Sequence, residues 1–307
     1  MDTGMDRDLG STWWEPPPNP ELSGHVVVGV DGSAHAGNAL EAAVAEADRR
    51  DVRLEIVHGR PWGGHGPGRD RGLRPYHAAQ ALLSRAAARA DELRPGLRVS
   101  ASLVDRPAGG VLVRRSDDAA LAVVGTRGHG AVTGALLGSV SLHLAAHAAC
   151  PLLVVRGVAP GQRTGGRVLL GLESDADADA AAFAFDEAGR RRVPLTVLHA
   201  WTYRAAESPG RAATGFADRA RAEEAVPLNA VARLRSAHRE VAADIETVCG
   251  SAAHSLVEAT RHADLVVVAA HRRPGAIGMR LGPVTHALLH HAHCPVAVVP
   301  VPAPERR

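Results

Sequence analysis

The chain is written twice. GVDGS at Gly29 to Ser33 returns as GLESD at Gly171 to Asp175, and CPLLVV from Cys150 returns as CPVAVV from Cys294. Self-similarity over such a period makes each copy a folding unit, so the 307 residues divide into two tandem domains. Their expected bounds are 24–157 and 167–303, joined by a linker at 158–166. Residues 1–23 are polar and Pro-rich and bury too little surface to offset their ordering entropy, so a disordered tail is expected. Trp13 and Trp14, beside Pro16 to Pro18, are the residues there that could dock on a domain or a partner.

Each copy alternates short apolar runs with longer helical ones. In the first, His25 to Val30, Leu54 to His58, Leu97 to Val104, Leu121 to Gly125 and Pro151 to Val155 read as strands. Helices are expected from Ser33 to Arg50, Tyr76 to Leu93, Ala108 to Asp117 and Ser139 to Ala148. The second copy repeats that order, from a strand at Val168 to Gly171 to a strand at Val296 to Val299. Strands this uniformly apolar are buried on both faces, which requires a parallel sheet with right-handed helical crossovers. The fold class is therefore α/β, two tandem doubly wound Rossmann-like domains. With aromatics at 3% of the chain, small and branched side chains must fill the core.

A formal charge of +2 gives no nucleic-acid footprint and no polybasic membrane patch. All 35 Lys-or-Arg positions are arginine, which excludes a phosphate-loop lysine and Schiff-base chemistry. Cys150 and Cys294 occupy equivalent places in the repeat and Cys249 is odd, so reduced thiols are expected rather than a disulfide framework. No stretch resembles a secretory leader or reaches membrane-spanning length, and a cytoplasmic location follows by elimination.

Ligands of open α/β sheets sit beyond the carboxyl ends of strands, where strand order reverses. Asp31 follows the first strand and Gly125 to Gly128 the fourth, so both face one crevice. Glycines at 125 and 128 let backbone approach phosphate with no Cβ in the way. Gly138 and Ser139 then open a helix whose free amides, dipole and hydroxyls at Ser139 and Ser141 suit an anion.

The run Gly125, two residues, Gly128, nine residues, Gly138, Ser139 resembles the ATP-binding loop of the universal stress protein family, and VDGS at Val30 to Ser33 resembles that family's first-strand signature. The resemblance covers both copies. It implies that Asp31 and the backbone at Gly59 meet adenine, that Gly125 and Gly128 line ribose and phosphates, and that Gly138, Ser139, Val140 and Ser141 hold the phosphate tail. It implies ATP as ligand, with Mg²⁺ as a possible companion for which the chain shows no ligand cluster of its own. It also implies pairing through last strands, Leu152 to Val155 and Val296 to Val299, within one chain or in a homodimer.

The second copy departs from this pattern. Ala269, Arg272, Gly282 and Pro283 stand where the first has Gly125, Gly128, Gly138 and Ser139. Arg272 blocks the approach, and Pro283 removes an N–H and a hydroxyl. Glu173 replaces Asp31, while Asp175 and Asp177 bring negative charge to where phosphate would sit. Weak or absent ATP binding is expected there, although Arg272 and Arg273 could attract another anion.

Three further signals have plain structural readings. Asp175, Asp177 and Asp179 resemble the start of a calcium loop, but Ala180 stands at the sixth position, and an acidic helix start accounts for them. His286, His290 and His293 share a helical face beside Cys294, expected to be a solvated stripe opposite Val284, Ala287, Leu288 and His291. The connection Gly59 to Pro75, with Arg60, Arg69, Arg71 and Arg74, is a candidate lid. Three functions stay open: a nucleotide-sensing regulatory protein with an unidentified protein partner, a slow ATPase, or a nucleotide-independent scaffold. Asp31 and His129 are the available bases near the loop, and no catalytic residue is assigned.

Overall fold

In a computed structural model, the described residues are 24–59, 70–126, 128, 137–156, 166–203, 212–271 and 281–301. The Trp13–Trp14 segment, the Arg60–Arg69 stretch, His129, Arg272 and Arg273 lie outside them. The first half runs β1 (His25–Gly29), α1 (Ala34–Arg50), β2 (Leu54–Gly59), α2 (Asp70–Leu93), β3 (Val99–Val104), α3 (Ala108–Arg115), β4 (Ala119–Gly125), α4 (Ser139–His147) and β5 (Leu152–Val155). The second runs β6 (Val168–Gly171), α5 (Ala178–Arg191), β7 (Leu195–Trp201), α6 (Ala212–Ala237), β8 (Ala243–Cys249), α7 (Ala252–Ala259), β9 (Leu265–His271), α8 (Pro283–His291) and β10 (Val296–Val301).

Two elements differ from the sequence expectation in instructive ways. Helix α2 begins at Asp70, six residues before Tyr76, with Pro75 inside it. Proline there has no N–H for the carbonyl of residue 71, so the first turn is held by fewer ladder bonds than the rest of the helix. The acidic helix start of the second copy opens on a short 3₁₀ turn at Asp175–Asp177 before α5 begins.

The ten strands of the described residues form one sheet in the order β3-β2-β1-β4-β5-β10-β9-β6-β7-β8. Pairing is parallel within each half and antiparallel where the halves meet, with Val154 opposite Val296, Leu153 opposite Ala297 and Leu152 opposite Val298. The domain pairing that the resemblance implied through the last strands is thus made within the chain. Strand alternation sends Val26 and Val28 to one face and Val27 to the other, and each face carries an apolar layer that crosses both halves. One layer holds α1, α2, α5 and α6 residues around Phe185; the other holds Leu112, Leu144, Leu256 and Leu288 from α3, α4, α7 and α8.

The join is reinforced on both faces. Where the carboxyl ends of α1 and α5 meet, Arg50 reaches Glu187 and Arg191 reaches Glu46, each at 2.5 Å. Each arginine also pairs with the glutamate one turn before it, so the cluster repeats the duplication. Burial pushes the Glu46 carboxyl up, but the guanidinium charges of Arg191, Arg50 and Arg49 outweigh it and hold the group down to about 2. On the opposite face Arg156, just past β5, donates to the carbonyls of Leu289 and His290 at the end of α8. Cationic donors suit a helix carboxyl terminus, where orphan carbonyls carry partial negative charge.

Candidate functional site

The strand order reverses between β1 and β4, and their carboxyl ends open the crevice in which α/β sheets take ligands. The chain leaves β1 through Val30 and Asp31 and is turned back at once by local bonds. Ser33 N–H donates to Asp31 Oδ1 at 2.9 Å, and Ser33 Oγ accepts from Ala36 N at 3.2 Å, capping α1. His58 at the end of β2 donates through Nδ1 to the Val30 carbonyl at 2.8 Å. A carbonyl only accepts, so Nδ1 carries the proton.

The glycines serve the protein as much as any ligand. A Cβ at Gly125 would lie 2.6 Å from the His35 carbonyl oxygen, so β4 and the start of α1 approach this closely only with glycine there. A Cβ at Gly128 would collide with Oδ2 of Asp31, which places that carboxylate against the loop backbone. Gly138 N–H donates to Thr126 O at 2.6 Å, and buried Ser141 donates through Oγ to Gly125 O at 2.6 Å. These bonds tie α4 to the end of β4. Among the described residues no side chain caps α4 at Gly138, so its first turn offers backbone donors to whatever occupies the cleft.

Asp31, Gly125, Gly128, Gly138, Ser139, Val140 and Ser141 all line one cavity of about 190 Å³. Gly59 is outside that lining: its missing Cβ makes room for α3, since an added one would lie 2.5 Å from Ala108 Cα. Sequence reasoning missed the apolar wall made by Ala108 and Leu112 of α3. Their i, i+4 spacing gives one helical face, but nothing in the sequence says that this face turns toward the cleft.

The second crevice is held differently. Asp177 is buried, and its Oδ2 accepts from Glu173 N at 2.6 Å and from Ser174 N at 3.3 Å. Its Oδ1 meets His271 Nε2 at 2.8 Å. A carboxylate of the protein therefore already takes these two amides of the turn after β6. Glu173 and Asp175 are exposed, and Pro283 occupies the first turn of α8 without an N–H to offer. His199 repeats the His58 anchor by meeting Leu172 O at 2.9 Å, and its Nε2 adds a buried contact with Glu223 at 2.9 Å.

The sequence profile described as the universal stress protein family matches residues 23–156 and again 166–300. The chain belongs to the universal stress protein family. Among its relatives, Mycobacterium tuberculosis universal stress protein Rv2005c is 33% identical over 301 residues, covering 91% of this chain and 98% of that one. Universal stress protein Rv2623 of the same species is 33% identical over 293 residues, covering 89% and 95%. The crystal structure of a universal stress protein from Archaeoglobus fulgidus shares the fold at TM-score 0.64 and 13% identity, covering 90% of this chain and 98% of that one. The tandem architecture is therefore that of the family's two-domain members.

The remaining sequence signals fall into place around this family fold. On α8 the buried residues are Thr285, Leu288 and Leu289, whereas His291, expected on the covered side, is exposed together with His286. Burial pushes the Cys150 thiol up to about 12, which makes it a packing group rather than a nucleophile. Among the described residues, no three His, Cys, Asp or Glu side chains form a metal-holding group, and no helix is long and apolar enough to cross a membrane.

Proposed function

We propose that the first domain binds ATP and that the chain is a nucleotide-responsive regulatory protein of the cytoplasm, read by a protein partner. One observation carries the reading: Asp31, the glycine loop and an uncapped helix start converge on one cavity in the first half. In the second half Pro283 lacks the N–H and hydroxyl that Ser139 offers, and Asp177 sets a buried carboxylate in the turn after β6. The residues fit the group. Amides of Ser139 and Val140 and the Ser139 hydroxyl would hold phosphate oxygens, with the α4 dipole favouring the negative charge. Asp31 and the backbone at Val30 would orient the nucleoside end, and Gly128 keeps that carboxylate beside the loop. Mg²⁺ would ride on the phosphates and water, as it commonly does.

The test is calorimetric titration of ATP with Mg²⁺ into the nucleotide-free chain, paired with Gly128→Arg. One site, lost in the variant, supports an asymmetric sensor. Two sites would show that the second crevice also binds nucleotide. Failure of the unaltered chain to bind would shift the reading to an interaction scaffold, and phosphate release in single-turnover assays would make it a slow ATPase.

A further inference from the structure

We propose that His143 and His147 on α4 form a surface site for a late first-row divalent ion, with Cu²⁺ bound most tightly. Two histidines four residues apart share one helical face, the spacing by which helices present a pair of imidazole ligands to a metal. Their ring centroids lie 4.4 Å apart with planes inclined by 32°. His147 donates through Nδ1 to the His143 carbonyl at 2.8 Å, which leaves the lone pair on Nε2. An Nδ1–H held by a backbone carbonyl is the outer-shell bond that orients metal-binding histidines. The His143 ring is set from beneath by α3, where a Cβ on Gly109 would lie 3.0 Å from its Cδ2. His143 is exposed and His147 half-buried, so an ion has access from solvent.

The protonation balance agrees with this geometry. Burial and the neighbouring His147 hold His143 below its ordinary value. Two nitrogens leave the other coordination positions to water, and imidazole with water ranks Cu²⁺ above Ni²⁺ and Zn²⁺.

Helix α8 carries a built-in comparison. His286 and His290 stack at 4.3 Å, yet Arg156 donates to the His290 carbonyl and brings a fixed positive charge to that end of the helix. That charge opposes a second cation, so the α4 pair binds first. The pair is not a relic of the duplication either, because Ala287 stands where the first copy has His143.

The experiment titrates Cu²⁺ into the full chain freed of any purification tag, followed by electron paramagnetic resonance at one equivalent. The expected spectrum shows hyperfine coupling to two imidazole nitrogens. His143→Gln and His147→Gln should each weaken that first equivalent by about 10-fold or more, while His286→Gln leaves it unchanged. Circular dichroism of the metal-free variants checks their folding, and His147→Gln keeps the test valid if the His143 change disturbs packing on Gly109. Unsaturable binding, survival of the first equivalent in the His143→Gln/His147→Gln double variant, or its loss in His286→Gln would overturn the proposal.

Discussion

Gly59 and Gly128 look alike in sequence, each following a strand on the side where ligand is expected, yet they answer to different neighbours. Gly59 faces the backbone of α3, at Ala108 Cα and N, whereas Gly128 faces the carboxylate of Asp31. Gly59→Ala must therefore move a helix. It should destabilise the domain by about 1–3 kcal/mol, measured as a lower urea midpoint, with ATP affinity nearly unchanged in the protein that remains folded. Should the substitution instead abolish ATP binding at unchanged stability, Gly59 belongs in the site. The loop spacing was legible because glycine is rare enough in regular structure for its pattern to stand out. The reason for each glycine was not, because it depends on which atom lies opposite, and His35, Asp31 and Ala108 reach those places only through the fold.

At the level of the element, the two halves show how one topology supports different helix starts. Ser33 caps α1 through Ala36, and among the described residues no side chain caps α4; ahead of α5, Ser174 and Asp177 form a reciprocal capping box. The acids at 175–179 read from sequence as a helix start, and that much holds. The amides of Glu173 and Ser174 are local partners of Asp177, whereas the imidazole of His271 became its partner only once β6 and β9 lay side by side. Asp177→Ala would remove the cap from those amides, costing about 0.5–2 kcal/mol in chemical denaturation of the second domain. The same variant should still fail to bind ATP in the second crevice, because Pro283 has no N–H to restore. Measurable binding of a second nucleotide would instead show that Asp177 alone closes that crevice.

Across the whole molecule, the duplication gives a single sheet whose centre is the β5–β10 pair, and the ionic cluster of α1 and α5 sits against that centre. Periodicity located both helices, and the family resemblance implied the strand pairing. The cluster was not legible, since Glu46 and Glu187 are 141 residues apart and each reads as an ordinary polar position until the antiparallel pairing brings the helix ends together. Its electrostatics give the molecule an acid limit. Glu46 is held down to about 2 from an ordinary 4.5, so its ionised form stabilises the folded state above pH 4.5. That contribution fades as pH falls from about 4.5 through about 2, where the folded protein also takes up the proton. Glu46→Gln removes one of the two carboxylates and leaves buried Arg50 and Arg191 sharing Glu187, and should cost about 3 kcal/mol at neutral pH. Thermal melts from pH 6 down to 2 would show the unaltered chain losing stability steeply across that window, with a flatter profile for Glu46→Gln. Parallel profiles would mean that the acid sensitivity resides in other carboxylates and that the cluster contributes packing rather than charge to the join.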